Sequence, residues 1–169
     1  MTSTADAPLV SSFAAATRIH RQDDGTYTAT LQPSWLSLVG IHGGYAAAIA
    51  ANAAAATVDD ESQVLRSVST QFVRSPVPGD VVVVVDVRHR GRRTTFATAT
   101  MFQDDRVVLL VTVVCGSTRG GLAYGELVVP RPAMPPAELP RFEPTHGVKV
   151  GHFVNAELYL DPDVHPFAG

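Results

Sequence analysis

An alanine-rich segment entered through a His-Gly-Gly step constrains the fold of this chain more than any other feature. The segment reads GIHGGYAAAIAANAAAATV from Gly40 to Val58, with nine alanines between Ala46 and Ala56. Alanine has the highest helix propensity but adds little apolar side-chain volume. The segment therefore predicts a helix over about residues 43–57 that other parts of the structure approach closely.

Strand-like alternation precedes the predicted helix. An Asp-Asp-Gly turn signal at residues 23–25 is followed by alternating apolar residues at Tyr27, Ala29 and Leu31. A period of two is typical of a strand that buries one face, and proline ends such a run. We therefore expect a strand that stops at Pro33 and leads into the helix.

The residues after the helix predict four more strands. The run VLRSVSTQFVRSPVPGD, residues 64–80, alternates and ends at a Pro-Val-Pro-Gly turn. The runs VVVVVDVRHR, RTTFATATMFQ and RVVLLVTVVCG follow, separated by short turns at residues 91–92 and 104–105. Short turns join antiparallel neighbours, because a parallel crossover needs about a dozen residues. The predicted order is one strand, one helix and then four strands in a meander.

These elements fit one packing scheme. A helix with a single buried flank covers the one apolar face of an antiparallel sheet. Small alanine side chains let a strongly curved sheet wrap tightly around that helix. The sequence thus predicts an α+β fold, with one long alanine-rich helix wrapped by a curled antiparallel sheet of about five strands.

Composition and charge limit the classes of function. With 169 residues, 46% of them hydrophobic, the chain can bury one sizeable core. A net charge of −3 gives no general attraction to nucleic acid or to an anionic membrane. No segment has the ~18 consecutive apolar residues of a membrane helix, and the first residues lack a signal-peptide pattern. We expect a cytoplasmic protein that binds neither nucleic acid nor membranes.

The sequence predicts no metal site and no cofactor. Cys115 is the only cysteine, which excludes an internal disulfide and a multi-cysteine zinc site. It lies in an apolar run, where we expect a small buried hydrophobe. Asp161, Asp163 and His165 are metal-binding residue types, but prolines interrupt their spacing.

A proline-rich stretch divides the chain. The sequence PRPAMPPAELPRFEP, residues 130–144, holds six prolines in fifteen positions and cannot form a helix or an inner strand. We expect a flexible N-terminus over residues 1–11, one domain over 12–119 and a proline-rich linker over 120–144. Residues 145–169 contain one strand-like alternation, and a lone strand does not fold independently.

Five motifs carry a family resemblance: the strand ending in PSW, the Gly-Gly-Tyr helix start, SVSTQFVRSPVPGDV, the Arg-Gly-Arg-Arg turn and ATATMFQDDRVV. Together they resemble the N-terminal half of the acyl-CoA thioesterase II-like (TesB-like) proteins, over about residues 12–118. The resemblance implies a hotdog fold for residues 12–119. Members usually have two hotdog modules, and ELYLDPDVHPFAG looks like the opening of the second. Residues 145–169 are thus expected to be the start of an incomplete second hotdog, or a surface strap.

The resemblance also implies where the chemistry lies. In the double-hotdog thioesterases the aspartate that helps to activate water lies in the C-terminal module, so no residue here takes that role. The helix start at Gly43, Gly44 and Tyr45 would direct backbone N–H groups and the positive end of the helix dipole at a thioester carbonyl or a phosphate. Glycine permits this approach because it has no Cβ. The structural alternative is a helix entry that only allows close packing.

His42 is the candidate general base on this chain, because imidazole titrates near neutrality. A loop histidine without an orienting carboxylate is more often solvated or packed, and this alternative stays open. Trp35 and Phe72 are expected in the core. The serines have no Gly-x-Ser-x-Gly setting, which argues against a serine hydrolase.

Other polar residues are candidate substrate contacts. Arg90, Arg92 and Arg93 could pair with the phosphates of coenzyme A, although hairpin arginines are commonly only solvated. Gln71 and Arg74 could line an acyl channel or lie on the exposed face of their strand.

Two functions from different classes remain. The first is an acyl-CoA thioesterase or acyl-CoA binder, in which the helix amides stabilise the oxyanion and a partner module supplies a carboxylate. The second is a non-catalytic hotdog that dimerises and binds acyl-CoA. A hydratase is disfavoured, because the loop PSWLSLVGIHGG has a histidine but no acid. An uncovered edge strand predicts a homodimer, or a complex with a related hotdog subunit.

Overall fold

The computed structural model describes residues 13–121, 138–141, 155–156 and 158–159. The predicted flexible N-terminus over residues 1–11 lies outside the described residues. Most of the predicted linker (120–144) and most of the segment 145–169 lie outside them as well.

The described residues contain two α-helices, a 3-10 turn and eight strands. The helices are α1 (Phe13–Ala16) and α2 (Gly43–Val58), and the 3-10 turn spans Pro33–Trp35. The strands are β1 (His20–Arg21), β2 (Tyr27–Leu31), β3 (Leu36–Ser37), β4 (Gly40–Ile41), β5 (Gln63–Phe72), β6 (Gly79–Arg90), β7 (Thr94–Gln103) and β8 (Arg106–Ser117).

Within the described residues the main sheet has six strands in the order β1-β2-β6-β7-β8-β5, and all its pairs are antiparallel. Helix α2 packs on one face, called the inner face here, and β3 and β4 form a separate small hairpin. Among the described strands the sheet does not close, since β1 and β5 each have a neighbour on one side only. The predicted α+β architecture is confirmed, with six strands in place of about five.

Helix α2 is the alanine-rich element that the sequence predicted. It spans 16 residues. On the side that faces the sheet, four of its alanines are fully buried: Ala46, Ala50, Ala53 and Ala54. Their small side chains let the inner face of the sheet approach the helix backbone closely. Large inward side chains from the strands, including Met101 and Leu109, fill the space that alanine leaves.

The predicted four-strand meander is wrong, because β5 pairs with β8 and not with β6. The proline-containing residues 73–78 do not form a tight hairpin turn but cross the end of the sheet. The amides of Val73 and Arg74 donate to the carbonyl of Val108 on β8. Further along, the side-chain amide of Gln103 on β7 bonds both the N–H and the C=O of Val77. The chain thereby passes two strands before it enters β6.

A β-bulge changes the phase of β5. Leu65 lies opposite Cys115, and Ser67 lies opposite the next residue of β8, Val114, so Arg66 is the extra residue. The guanidinium of Arg66 folds back and donates to the carbonyl of Gly116. As a result Leu65 joins Val68 and the rest of the inner face, although simple alternation predicts that it faces the other way.

Candidate functional site

The β3–β4 hairpin delivers His42 to the start of α2. The amide of His42 donates to the carbonyl of Trp35 at 2.8 Å, and the amide of Ile41 donates to the carbonyl of Pro76 at 3.0 Å. Gly40 has φ +93°, and a Cβ atom there would collide with the hydroxyl of Ser75. This glycine is therefore required where the hairpin meets the residue 73–78 segment.

The first four backbone amides of α2 differ in their hydrogen bonding. The amides of Tyr45 and Ala46 donate to the carbonyl of His42 at 3.1 and 3.2 Å. The amides of Gly43 and Gly44 have no hydrogen-bond partner among the described residues. Gly44 is exposed and Gly43 is half-buried. Free amides at the positive end of a helix dipole favour a negatively charged or polarised oxygen.

Tyr45 lies in the core, beneath this helix start. Its ring is fully buried and stacks on Trp35 with centroids 4.7 Å apart. Its hydroxyl lies within hydrogen-bond distance of two backbone carbonyls, 3.1 Å from Ala16 and 3.3 Å from Thr30, to which its one proton can be donated. The hydroxyl oxygen also accepts the amide of Gln32. Burial raises the pKa of this phenol above its ordinary value. The structure thus places Tyr45 as a support for the helix start, with its own amide already engaged.

The end of β5 lies beside the two free amides. A Cβ atom built on Gly43 would lie 2.8 Å from Cζ of Phe72, and one built on Gly44 would lie 3.2 Å from Cε1 of His42. Among the described residues, an imidazole and a phenyl ring therefore lie beside the helix start. The expectation that Phe72 is a core residue is wrong, because its side chain is 55% exposed on an edge strand that α2 covers only in part.

Gln71 and Arg74 lie at the same end of the sheet as Gly43. Gln71 pairs with Leu110 and is exposed on the outer face of the sheet, away from α2. The guanidinium of Arg74 donates to the carbonyl of Val107 at 2.8 Å, and its side chain is exposed. Arg74, Ser75 and Arg106 also line an open polar cleft of about 340 Å³ next to the β7–β8 turn.

The hairpin arginines lie at the opposite end of α2. Arg90 donates to the last carbonyls of the helix, at 2.6 Å to Val58 and 3.3 Å to Thr57. A helix of 16 residues is about 24 Å long at 1.5 Å per residue, so Arg92 and Arg93 are far from Gly43 in the same chain. Arg90 is thus a C-terminal helix cap, and a single chain does not bring Arg92 and Arg93 to the free amides.

Sequence reasoning missed the residues that hold this site in place. The sequence pattern marks Ser75 and Pro76 only as part of a turn, and it gives no sign of the role of Gln103. The signal was present in the two prolines of Pro-Val-Pro-Gly, which remove the amides that a tight hairpin would need. No cluster of three or more potential metal-ligating side chains occurs in the described part of the chain. No helix there is long and apolar enough to cross a membrane.

Comparisons with solved structures find the same fold. A conserved protein of unknown function with the hotdog fold from Alicyclobacillus acidocaldarius is 27% identical, with a TM-score of 0.72 over 80% of this chain. A putative thioesterase II from Thermobifida fusca is 28% identical, with a TM-score of 0.65 over 81% of this chain. This chain covers 50% and 52% of those two proteins, so it spans about half their length.

A third structure, of a Bacillus halodurans protein solved with CoA, is 18% identical, with a TM-score of 0.53. It shares the fold over 61% of this chain and 73% of its own length. A search of curated proteins finds no match. The family model of the acyl-CoA thioesterase N-terminal domain matches residues 31–116, about half of the chain, from the end of β2 through β8. This chain therefore belongs to the acyl-CoA thioesterase N-terminal domain family and has the hotdog fold.

Proposed function

We propose that this chain forms the N-terminal half of an acyl-CoA thioesterase site, in which the amides of Gly43 and Gly44 bind the thioester carbonyl oxygen. The observation that carries the proposal is a pair of amides at the N-terminus of α2 that no described residue engages, in a domain of the acyl-CoA thioesterase family. Glycine at both positions leaves the approach to the amides open.

The proposed reaction is hydrolysis of the thioester. The oxygen of water bonds to the carbonyl carbon, the carbon–sulfur bond breaks, and the thiolate of coenzyme A takes up a proton. Amides aimed at the developing oxyanion stabilise the transition state by ~3–4 kcal/mol. The base that removes the proton from water is proposed to be a carboxylate of a second hotdog unit. His42 is the alternative base, and it is the candidate that this chain itself supplies, since its ring lies beside Gly44.

The second hotdog unit is proposed to join at β5. This strand is the sheet edge with a row of backbone groups that no described strand pairs, and such edges are normally covered. The unit would be a second copy of the chain or a related hotdog subunit. The relatives of about twice this length support a two-unit assembly.

Antiparallel pairing of two β5 strands would also reunite the separated candidate residues. Gln63, the first residue of β5, donates to the carbonyl of Gly91 at 3.4 Å, so the arginine hairpin lies near the start of β5. Phe72, the last residue of β5, lies beside Gly43. A two-fold axis through β5 would bring Arg92 and Arg93 of the partner subunit towards the free amides of this one. Those guanidinium groups would then be available to the phosphates of coenzyme A.

A non-catalytic acyl-CoA-binding module is the second candidate function. Among the described residues, the side chains next to Gly43 and Gly44 are the phenyl ring of Phe72 and the imidazole of His42. Neither is a carboxylate. Without a base from a second unit, the amides alone would support binding of the thioester and not its hydrolysis.

Purified protein separates the two candidates. Hydrolysis of an acyl-CoA panel would be followed by release of free thiol, and binding would be followed by calorimetry. Binding with hydrolysis supports the thioesterase, binding without hydrolysis supports the module, and neither result with a well-folded chain would reject both. The cytoplasmic location predicted from the sequence belongs to this proposal, and cell fractionation tests it.

A further inference from the structure

Helix α2 covers the inner face completely at β8 but only in part at β5. Cross-strand partners lie on the same face of the sheet. The burial of a β8 residue can therefore be compared directly with that of its partner on β5. In four rows of the inner face the β8 residue is buried and its β5 partner is not, and one of these rows pairs Val111 with the half-buried Thr70. The β5 partner is apolar in the other three. Those three rows pair Leu109 with Phe72, Val113 with Val68, and Cys115 with Leu65.

The three apolar residues form an apolar strip along β5, and the half-buried Thr70 lies between Phe72 and Val68 on the same face. Phe72, Val68 and Leu65 are 55%, 43% and 39% exposed, although they lie on the face of the sheet that carries the core. The bulge at Arg66 is what brings Leu65 into this strip, because it shifts the phase of the strand by one residue. The strip consequently runs along the inner face of β5 without a charged side chain.

The strip begins at the free amides and runs beside the helix. Phe72, at one end, contacts Gly43. Ala47 lies one turn further along α2 on the same side as Gly43 and is half-buried, so this flank of the helix has no large side chain. The apolar strip therefore extends along β5 from the amides, beside the small residues on this flank of the helix.

We propose that this strip is the acyl-chain subsite and that Val68 determines the length of chain it accepts. The inference rests on the proposed function, since it takes the thioester carbonyl to be held at Gly43 and Gly44. An acyl chain leaving that point passes Phe72 and continues along β5. Val68 lies four residues from Phe72, which is about 13 Å at ~3.3 Å per residue. A butyryl group is too short to reach Val68, whereas a palmitoyl group passes it.

The occupant is an acyl chain because the strip is continuous with the amides that would hold the thioester. Apolar side chains of a second copy are the competing occupant. The two possibilities make different predictions for ligand affinity. If the strip binds the acyl chain, substitutions in it change how affinity depends on acyl length. If the strip only contacts a second copy, they do not.

Affinities for butyryl-, octanoyl- and palmitoyl-CoA, measured by calorimetry on the full chain, test the proposal. Val68→Trp fills the strip and is expected to lower the palmitoyl-to-butyryl affinity ratio by about tenfold or more. Val68→Ala enlarges the strip and is expected to move the ratio in the opposite direction. Ser69→Trp is the matched control, because Ser69 pairs with Thr112 and lies on the outer face. Its ratio is expected to equal that of the wild type.

Each outcome decides the inference. Wild-type protein that binds none of the three ligands overturns the proposed function together with this inference. Wild-type binding with an unchanged ratio in both folded Val68 variants overturns the inference alone. A change in molar mass by light scattering in Val68→Trp, with the ratio unchanged in Val68→Ala, assigns the strip to subunit contact and also overturns it.

Discussion

The first residue of α2 and the last residue of β5 are in contact: a Cβ atom on Gly43 would lie 2.8 Å from Cζ of Phe72. Any larger residue at position 43 must displace the phenyl ring. The contact brings a half-exposed aromatic side chain beside the two amides that have no partner in the described structure. It therefore joins the candidate thioester site to the apolar strip on β5.

Replacing Gly44 with valine is expected to weaken acyl-CoA binding while the fold is kept. A side chain at this exposed position would meet only His42 and would stand in front of the amides. Affinity is measured by calorimetry and folding by circular dichroism. The control is Ala56→Val, which places the same residue at an exposed position near the other end of α2. Equal affinity in a folded Gly44→Val variant would show that the glycine has only a structural role.

Ala54→Leu is expected to lower the free energy of unfolding by ~1–3 kcal/mol. Ala54 is fully buried against the sheet, and added volume in a packed core forces side chains or backbone to move. Ala56→Leu, on the exposed side of the same helix, is expected to change stability by less than about 0.5 kcal/mol. Urea denaturation measures both variants. Equal stabilities would contradict the close packing of α2.

Gln103→Glu is expected to destabilise the protein by ~1–3 kcal/mol near neutral pH. The amide of Gln103 donates to the carbonyl of Val77 at 2.8 Å and accepts the Val77 amide at 2.9 Å. An ionised carboxylate keeps the second bond but faces the carbonyl without a donor. Gln71→Glu, exposed on the outer face of β5, is the isosteric control. Equal denaturation midpoints for the two variants would show that Gln103 does not hold the segment 73–78.

Arg90→Ala is expected to cost ~1–2 kcal/mol of stability, because it removes charged hydrogen bonds from the C-terminal carbonyls of α2. Arg92 is exposed and makes no such contact in the part of the chain that the structure describes, so Arg92→Ala is expected to leave stability nearly unchanged. It is expected to lower acyl-CoA affinity only in a dimer, where the arginine of the partner subunit approaches the amides. Thermal melts and calorimetry separate these effects. Loss of stability in Arg92→Ala with none in Arg90→Ala would reverse the assignment.

Acid is expected to weaken the turn between α2 and β5. Hydrogen bonds from the side chains of Ser62 and Gln63 hold the pKa of Asp60 below its ordinary value. A folded pKa below the unfolded one stabilises the protein above the unfolded value, and this contribution is lost as pH falls through the folded value. Asp60→Asn is therefore expected to lose less stability than the wild type across that acidic range. Parallel losses in the two proteins would contradict this role.

Local chemistry made several elements predictable from the sequence. Nine alanines specify α2 almost to the residue, because helix propensity depends little on distant contacts at this composition. The meander β6-β7-β8 followed from its short turns, and Asp104 and Asp105 adopt positive φ in the turn between β7 and β8. The glycines at the helix start were also predictable from local chemistry, because a residue without a Cβ leaves its own backbone amide open to approach.

Only the tertiary structure decided the partner of β5, because strand pairing is a long-range choice that the alternation of one strand does not specify. The bulge at Arg66 and the exposure of Phe72 follow from where β5 lies relative to α2, and neither has a sequence signature. The same holds for Arg90, whose capping role depends on a contact with Val58, 32 positions away. The sequence by itself determined the elements and the bare helix start, whereas packing determined which residues lie beside it.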